Sequence, residues 1–149
     1  MKAEKKKCVN TLTAVFDSVS ENEALARIII TGFITRYDVT AEILADVKTA
    51  VSEAVTNCIV HGYRDKPGKI KMSAKIYSDG TLTVKISDRG VGIDDVKKAM
   101  EPFFTTDAQG ERSGMGFAIM ESFMDKIKVK SAPGKGTDVT MKRSIRSHN

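Results

Sequence analysis

The spacing of hydrophobic positions changes period several times along the chain, and each change marks an element. Residues 8 to 16 alternate loosely, with Leu12, Ala14 and Phe16 on one side and Thr11, Thr13 and Val15 on the other, which predicts a strand. Ser-Glu-Asn-Glu follows at 20 to 23; Ser20 is placed to cap a helix and Glu23 to reach back as the second half of a capping box. Leu25, Ile28, Ile29, Gly32 and Phe33 supply the predicted apolar stripe of that helix, with Glu23, Arg27 and Thr31 on a different face. A second helix is predicted from Thr40, with Glu42 in its first turn, where negative charge suits the helix dipole. Ile43, Leu44, Val47, Ala50, Val51, Ala54, Val55, Cys58 and Ile59 recur at the 3.6-residue period, which makes it a core helix, and Gly62 is placed to end it.

Strict alternation returns at 69 to 77, where Ile70, Met72, Ala74 and Ile76 oppose Lys69, Lys71, Ser73 and Lys75, a half-buried strand. Asp79-Gly80 is a hairpin signal, and Leu82, Val84 and Ile86 carry the buried face along the returning strand, which ends at Asp88. A short helix with an acidic cap is predicted at 94 to 100, a Thr- and Gly-containing loop at about 102 to 114, and a helix from about Met115 to Asp125. Two strands follow, around 127 to 131 and 137 to 142, joined by Pro133-Gly134-Lys135-Gly136. The order predicts one domain, 1 to 149, folded as an α/β two-layer sandwich with a mixed, mostly antiparallel sheet and helices on one face.

Composition adds limits. The 149 residues suit one core, and 41% hydrophobic and 29% charged residues are globular values. No apolar run approaches a membrane span, and the basic start from Met1 to Lys7 lacks a signal-peptide pattern, so the expectation is a cytoplasmic protein with no membrane partner. Two cysteines, Cys8 and Cys58, read as free thiols. A net charge of +5 favours acidic partners. The lysines near the start are not interleaved with aromatic residues, so they read as a solvated chain end, and no direct nucleic-acid binding is expected.

Three blocks carry candidate chemistry. In the stretch from Glu53 to Gly62, Glu53, Asn57 and His61 stand at steps of four and project in nearly one direction, although polar residues on a helix flank are usually surface groups. Asp-Arg-Gly-Val-Gly at 88 to 92 leaves a buried strand directly. Gly90 and Gly92 let backbone approach a flat ligand and Asp88 offers an acceptor, while the same residues also suit a plain turn. In Arg-Ser-Gly-Met-Gly-Phe at 112 to 117, glycines open an apolar helix, and N–H groups at a helix start attract phosphate.

Taken together and in this order, the three blocks resemble the Asn, adenine and phosphate boxes of the GHKL (Bergerat-fold) ATPases and kinases. The stretches Val51 to Asn57, Phe103 to Thr106 and Glu111 to Asp125 are similar to the anti-sigma factor serine kinases of sporulation, over nearly the whole chain from about Val15 to Met141. The resemblance implies ATP and Mg2+ as ligands. It implies Asp88 as acceptor of the adenine amino group, Thr137 as its support, Asn57 as the magnesium ligand and Glu53 as base or orienter of the acceptor hydroxyl. Gly90, Gly92, Thr105, Thr106, Arg112, Ser113, Gly114, Met115, Gly116 and Phe117 complete the implied ATP site, with the loop from Thr105 to Ser113 as its lid. Asp107 departs from the lysine that many relatives carry after the Thr pair, which leaves two expectations: Asp107 points away, or phosphate affinity rests on Arg112 and magnesium.

The implied partners are a sigma factor of the sigma F type, an anti-anti-sigma factor phosphorylated on serine, and a second copy of the chain as homodimer, with Glu23 and Arg27 as candidate partner contacts or, equally, a solvated helix face. A stress-response anti-sigma B kinase shares the same boxes. A histidine-kinase catalytic domain would need its acceptor on another protein, and an ATP-gated clamp would need further domains.

Overall fold

The computed structural model describes residues 6–64, 66–101 and 116–146. Strand β1 (Cys8–Asp17) leads to α1 (Glu21–Ile34), a 3-10 turn (Thr35–Tyr37) and α2 (Ala41–Asn57), whose last turn widens into a π-helical segment (Cys58–Gly62). The hairpin β2 (Lys69–Tyr77) and β3 (Thr81–Asp88) follows, then α3 (Val96–Ala99), α4 (Phe117–Phe123), β4 (Lys126–Ser131) and β5 (Thr137–Ser144). The five strands lie in the order β1-β2-β3-β5-β4, and each neighbouring pair is antiparallel. The expected mixed sheet is therefore corrected among the described residues. Two hairpins join neighbours directly, and β5 returns beside β3 in the opposite sense.

Alternation builds the core. Ile70, Met72, Ala74 and Ile76 of β2 and Leu82, Val84 and Ile86 of β3 face inward with almost no exposure, and α1 and α2 cover them with Ile30, Ile34, Val47, Val51 and Val55. Each such side chain contributes about 1.5–3 kcal/mol when fully buried. Thr40 caps α2 by accepting the Ile43 N–H at 3.1 Å, at the expected start of that helix, and Asp95 caps α3 through the Lys98 N–H, an acidic cap as expected though the helix is shorter than 94 to 100. At the hairpin, Gly80 takes a positive φ of 85°. Arg143 on the inner face of β5 ties the layers at their edge, donating to Asp46 of α2 at 2.9 Å and to the Phe123 carbonyl.

Two helix expectations are corrected. Ser20 has helical φ/ψ and makes no cap hydrogen bond; its hydroxyl donates to Glu21 instead, so no capping box forms. The fully buried stripe of α1 is Ala26, Ile30 and Ile34; of the expected stripe, Ile29 and Phe33 pack half-buried against the core, whereas Leu25 and Ile28 are 39% and 68% exposed. Both rows have helical spacing, and the angle at which α1 lies on the sheet decides between them. Helix α4 also ends earlier than predicted, because Met124 turns extended and is itself buried.

The two rows of α1 make a direct check. Ile30→Ala removes packed volume and is expected to cost about 2–5 kcal/mol, while Ile28→Ala stays within about 0.5 kcal/mol, both read from urea unfolding.

Candidate functional site

Asp88 is the last inward position of β3, continuing Leu82, Val84 and Ile86, and it is one of two buried polar residues among the described residues. Alternation thus carries a carboxyl to the inner face where the apolar packing stops. Its Oδ1 accepts the Gly90 N–H at 2.8 Å, and Thr137 stands opposite it in the β3–β5 register. Burial pushes the Asp88 carboxyl above its ordinary value, and the Gly90 N–H, the Cys58 thiol and the Thr137 N–H oppose the rise. Cys58, itself 3% exposed, is raised in turn by burial and by the Asp88 charge, so it stays a thiol and donates.

A slot opens beside this carboxyl. Ala54, Asn57, Cys58, His61 and Gly62 form one wall, Ile86, Asp88, Gly92 and Ile93 the floor, and Phe117, Thr137 and Val139 the rest. The widened turn shapes the first wall: Tyr63 N–H reaches back to the Cys58 carbonyl at 2.9 Å, a π-helical bond. Both Asn57 and His61 remain on the slot despite the change of period. Gly90 sits where a Cβ would run into the Gly62 carbonyl, and Val91 N–H donates to that same carbonyl at 3.0 Å. Side-chain-free backbone therefore lets the loop after β3 lie flat on the end of the π turn.

Glu53 and Asn57 face the approach to α4. Gly116, with φ of 73°, opens that helix, and a Cβ there would collide with Glu53 Oε2, so the carboxylate lies against the glycine that starts α4. The Asn57 Nδ2 is buried and meets no hydrogen-bond partner among the described residues. A polar atom left so is costly unless a ligand satisfies it.

Among the expected site residues, the structure brings Asn57, Asp88, Gly92, Phe117 and Thr137 to one slot and places Gly90, Glu53 and Gly116 at its edges. Phe117, 1% exposed, is a wall of the slot. Thr105, Thr106, Arg112, Ser113, Gly114 and Met115, with Asp107, lie outside the described residues. Glu23 and Arg27 pair with each other on α1 at 3.1 Å and do not line the slot.

Three further residues belong here. Cys58 fits the core periodicity of α2, which conceals its bond to Asp88. Tyr63 OH donates to the Lys69 carbonyl and accepts the Arg89 N–H, both at 2.7 Å, and so clamps the loop after β3; no pattern in the sequence marks it. Ser131 follows Ile127 and Val129 at the inward positions of β4, and a hydroxyl in an apolar alternation was a signal available to be read.

A narrow slot with apolar walls and a buried carboxylate at its end suits a flat heteroaromatic ring bearing an amino group. Residues 16–143 match the family described as the histidine kinase-like ATPase domain. The chain is 50% identical to an anti-sigma F factor of Thermoanaerobacter sp. (strain X514) over 93% of this chain and 96% of that one. Among solved structures, the RsbU and RsbW domains of a Mycobacterium tuberculosis protein superpose with a TM-score of 0.62 at 18% identity, covering 95% of this chain and 35% of that one. The catalytic domain of the histidine kinase ThkA does so with a TM-score of 0.54 at 17% identity, covering 91% and 97%. The shared fold is the GHKL one.

The cost of burying Asp88 has a sign that can be measured. Its folded carboxyl lies above the ordinary 3.8, so the charged form opposes folding at neutral pH, and that penalty fades as pH falls toward 3.8 and the folded carboxyl takes its proton. Asp88→Asn is expected to raise the melting temperature of the nucleotide-free protein at pH 8, with the gain shrinking on acidification, while weakening adenine nucleotides about tenfold or more in direct titrations.

Proposed function

Because the chain belongs to the histidine kinase-like ATPase family and, within it, to the anti-sigma F factors, we propose that it is an anti-sigma factor and protein serine kinase. Loaded with ATP it holds a sigma factor of the sigma F type, and it transfers phosphate to a serine of an anti-anti-sigma factor. The observation that carries this reading is the slot closed by the buried Asp88 carboxylate, with the unsatisfied Asn57 amide at its wall. The names of the relatives favour the sporulation partner over the stress-response one.

In this reading Asp88 accepts the adenine amino group and Thr137 supports it, while Ile86, Ile93, Phe117 and Val139 take the faces of the ring. A guanine carbonyl would meet an acceptor with no proton between them. The unsatisfied amide of Asn57 fits a magnesium ligand, since its oxygen and nitrogen exchange by a flip of the group and one amide oxygen suits a hard cation that keeps several waters. A metal held there would supply positive charge that offsets the phosphates. Glu53, one turn earlier on α2 and against Gly116, is the base or orienter for the serine hydroxyl. Arg112, Ser113, Gly114, Met115, Thr105 and Thr106 are assigned to the phosphates and lid by their boxes alone.

The Glu23–Arg27 pair stands on one flank of α1, and Leu25 and Ile28 are exposed on a different face of the same helix; polar and apolar groups of this kind suit a protein contact. These groups of α1 are the proposed homodimer and sigma-factor surface. No helix among the described residues is long and apolar enough to cross a membrane, and the proposed place of action is the cytoplasm.

Incubation with labelled ATP, magnesium and a small anti-anti-sigma protein should yield acid-stable phosphoserine; acid-labile phosphohistidine or free phosphate alone would point to a histidine-kinase or clamp activity instead. Glu53→Gln is expected to keep ATP binding and lose transfer by roughly 10²–10⁴-fold, and full transfer in that variant removes Glu53 from the role. Arg27→Ala should weaken capture of the sigma factor about tenfold, some 1.4 kcal/mol, at unchanged ATP affinity. Normal capture would move the contact elsewhere.

A further inference from the structure

Ser131 ends β4 behind the slot, and its hydroxyl joins three segments. It accepts the Ile93 N–H at 2.8 Å, donates to the Gly136 carbonyl at 2.8 Å and lies 2.8 Å from Thr137 Oγ1. Ile93 belongs to the loop after β3, and Gly136 and Thr137 to the start of β5. Thr137 lines the slot, whereas Ser131 does not.

A serine hydroxyl has a single proton. The Gly136 carbonyl can only accept, and Gly136 is buried, so taking the proton away would leave a buried acceptor without that donor, an expensive arrangement. The Ser131 proton is thereby committed to Gly136, and the contact with Thr137 requires the Thr137 proton. With that proton turned toward Ser131, Thr137 shows only lone pairs to the slot. Asp88, opposite Thr137 in the register, is also an acceptor when ionised, and its Oδ1 already takes the Gly90 N–H.

We propose that Ser131 is a positioning residue that determines base specificity: it fixes the direction of the Thr137 hydroxyl, so that this end of the slot presents two acceptors and selects a purine with an amino group at position 6 over one with a carbonyl there. The inference rests on the adenine reading of the slot and adds to it the residue that sets the polarity of Thr137. A site that presents only acceptors at position 6 rejects the oxo purine, because its carbonyl there finds no donor. Without Ser131 the Thr137 hydroxyl turns freely and donates to a carbonyl as readily as it accepts from an amine.

The test compares ATP with inosine triphosphate, whose base has a carbonyl in place of the amino group at position 6 and with it a proton on N1, by direct titration of the full chain. The wild-type chain should prefer ATP. Ser131→Ala should lower the ATP-to-ITP affinity ratio about tenfold, with ITP binding gaining in absolute strength; Ser131→Cys, close in size and a poor donor, gives the same fall if the alanine variant folds badly. Ser131→Thr should keep the ratio, and in a Thr137→Val background Ser131→Ala should leave it unmoved, as a coupled pair requires. Equal weakening of both nucleotides by Ser131→Ala, or the same change in the Thr137→Val background, overturns the proposal while the wild-type preference upholds the adenine reading. A wild-type chain that binds both alike overturns the two together.

Discussion

Asp88 must be dry enough to mark the end of a closed slot and still hydrogen-bonded enough to remain a usable carboxylate. Burial raises its carboxyl, and the Gly90 N–H, the Cys58 thiol and the Thr137 N–H pull the other way. Each donor arrives from a different part of the chain: the loop after β3, the widened end of α2 and the start of β5. The surrounding backbone is arranged to let them arrive. Gly62 and Gly90 pack without side chains, because a Cβ on either would strike Asp88 or the Gly62 carbonyl. The need to solvate one buried charge with protein groups thus sets the conformation of three connections.

The widened turn at Cys58–Gly62 follows from the same need. A regular helix would keep its N–H groups bonded four residues back, whereas the π segment bonds Tyr63 to Cys58, and the Gly62 carbonyl at its end accepts from Val91. Tyr63 then reaches over to hold the Arg89 N–H and the Lys69 carbonyl. Helix end, strand end and loop are one hydrogen-bonded unit beside the slot.

The two layers divide the work. Inner positions of β2 and β3 and the buried stripe of α2 provide a wall with almost no exposure, and the site hangs on the ends of its elements, where side chains leave the core. Helix α1, by contrast, covers the core with one row and shows Leu25 and Ile28 outward. In the proposed reading, nucleotide and protein partners use different parts of the same sandwich.

Periodicity by itself determined the elements, because strands of this sheet are buried on one face and alternate accordingly, and α2 is buried along a continuous stripe. It also singled out Asp88, Asn57, Glu53 and the glycines, since polar residues at strand and helix ends adjoining glycine are legible as a pattern. It did not decide which row of α1 is buried, for both rows have helical spacing and only the packing angle separates them. Nor did it decide the strand pairing, which depends on how β5 returns to β3. Cys58 looked like one more core position and Ser131 like the last residue of a strand. Their roles exist only because residues far apart in sequence, Asp88 for one and Ile93 for the other, are brought within hydrogen-bond reach. Hydrogen bonds between side chains of distant segments are fixed by position in three dimensions, and no spacing along a chain encodes them.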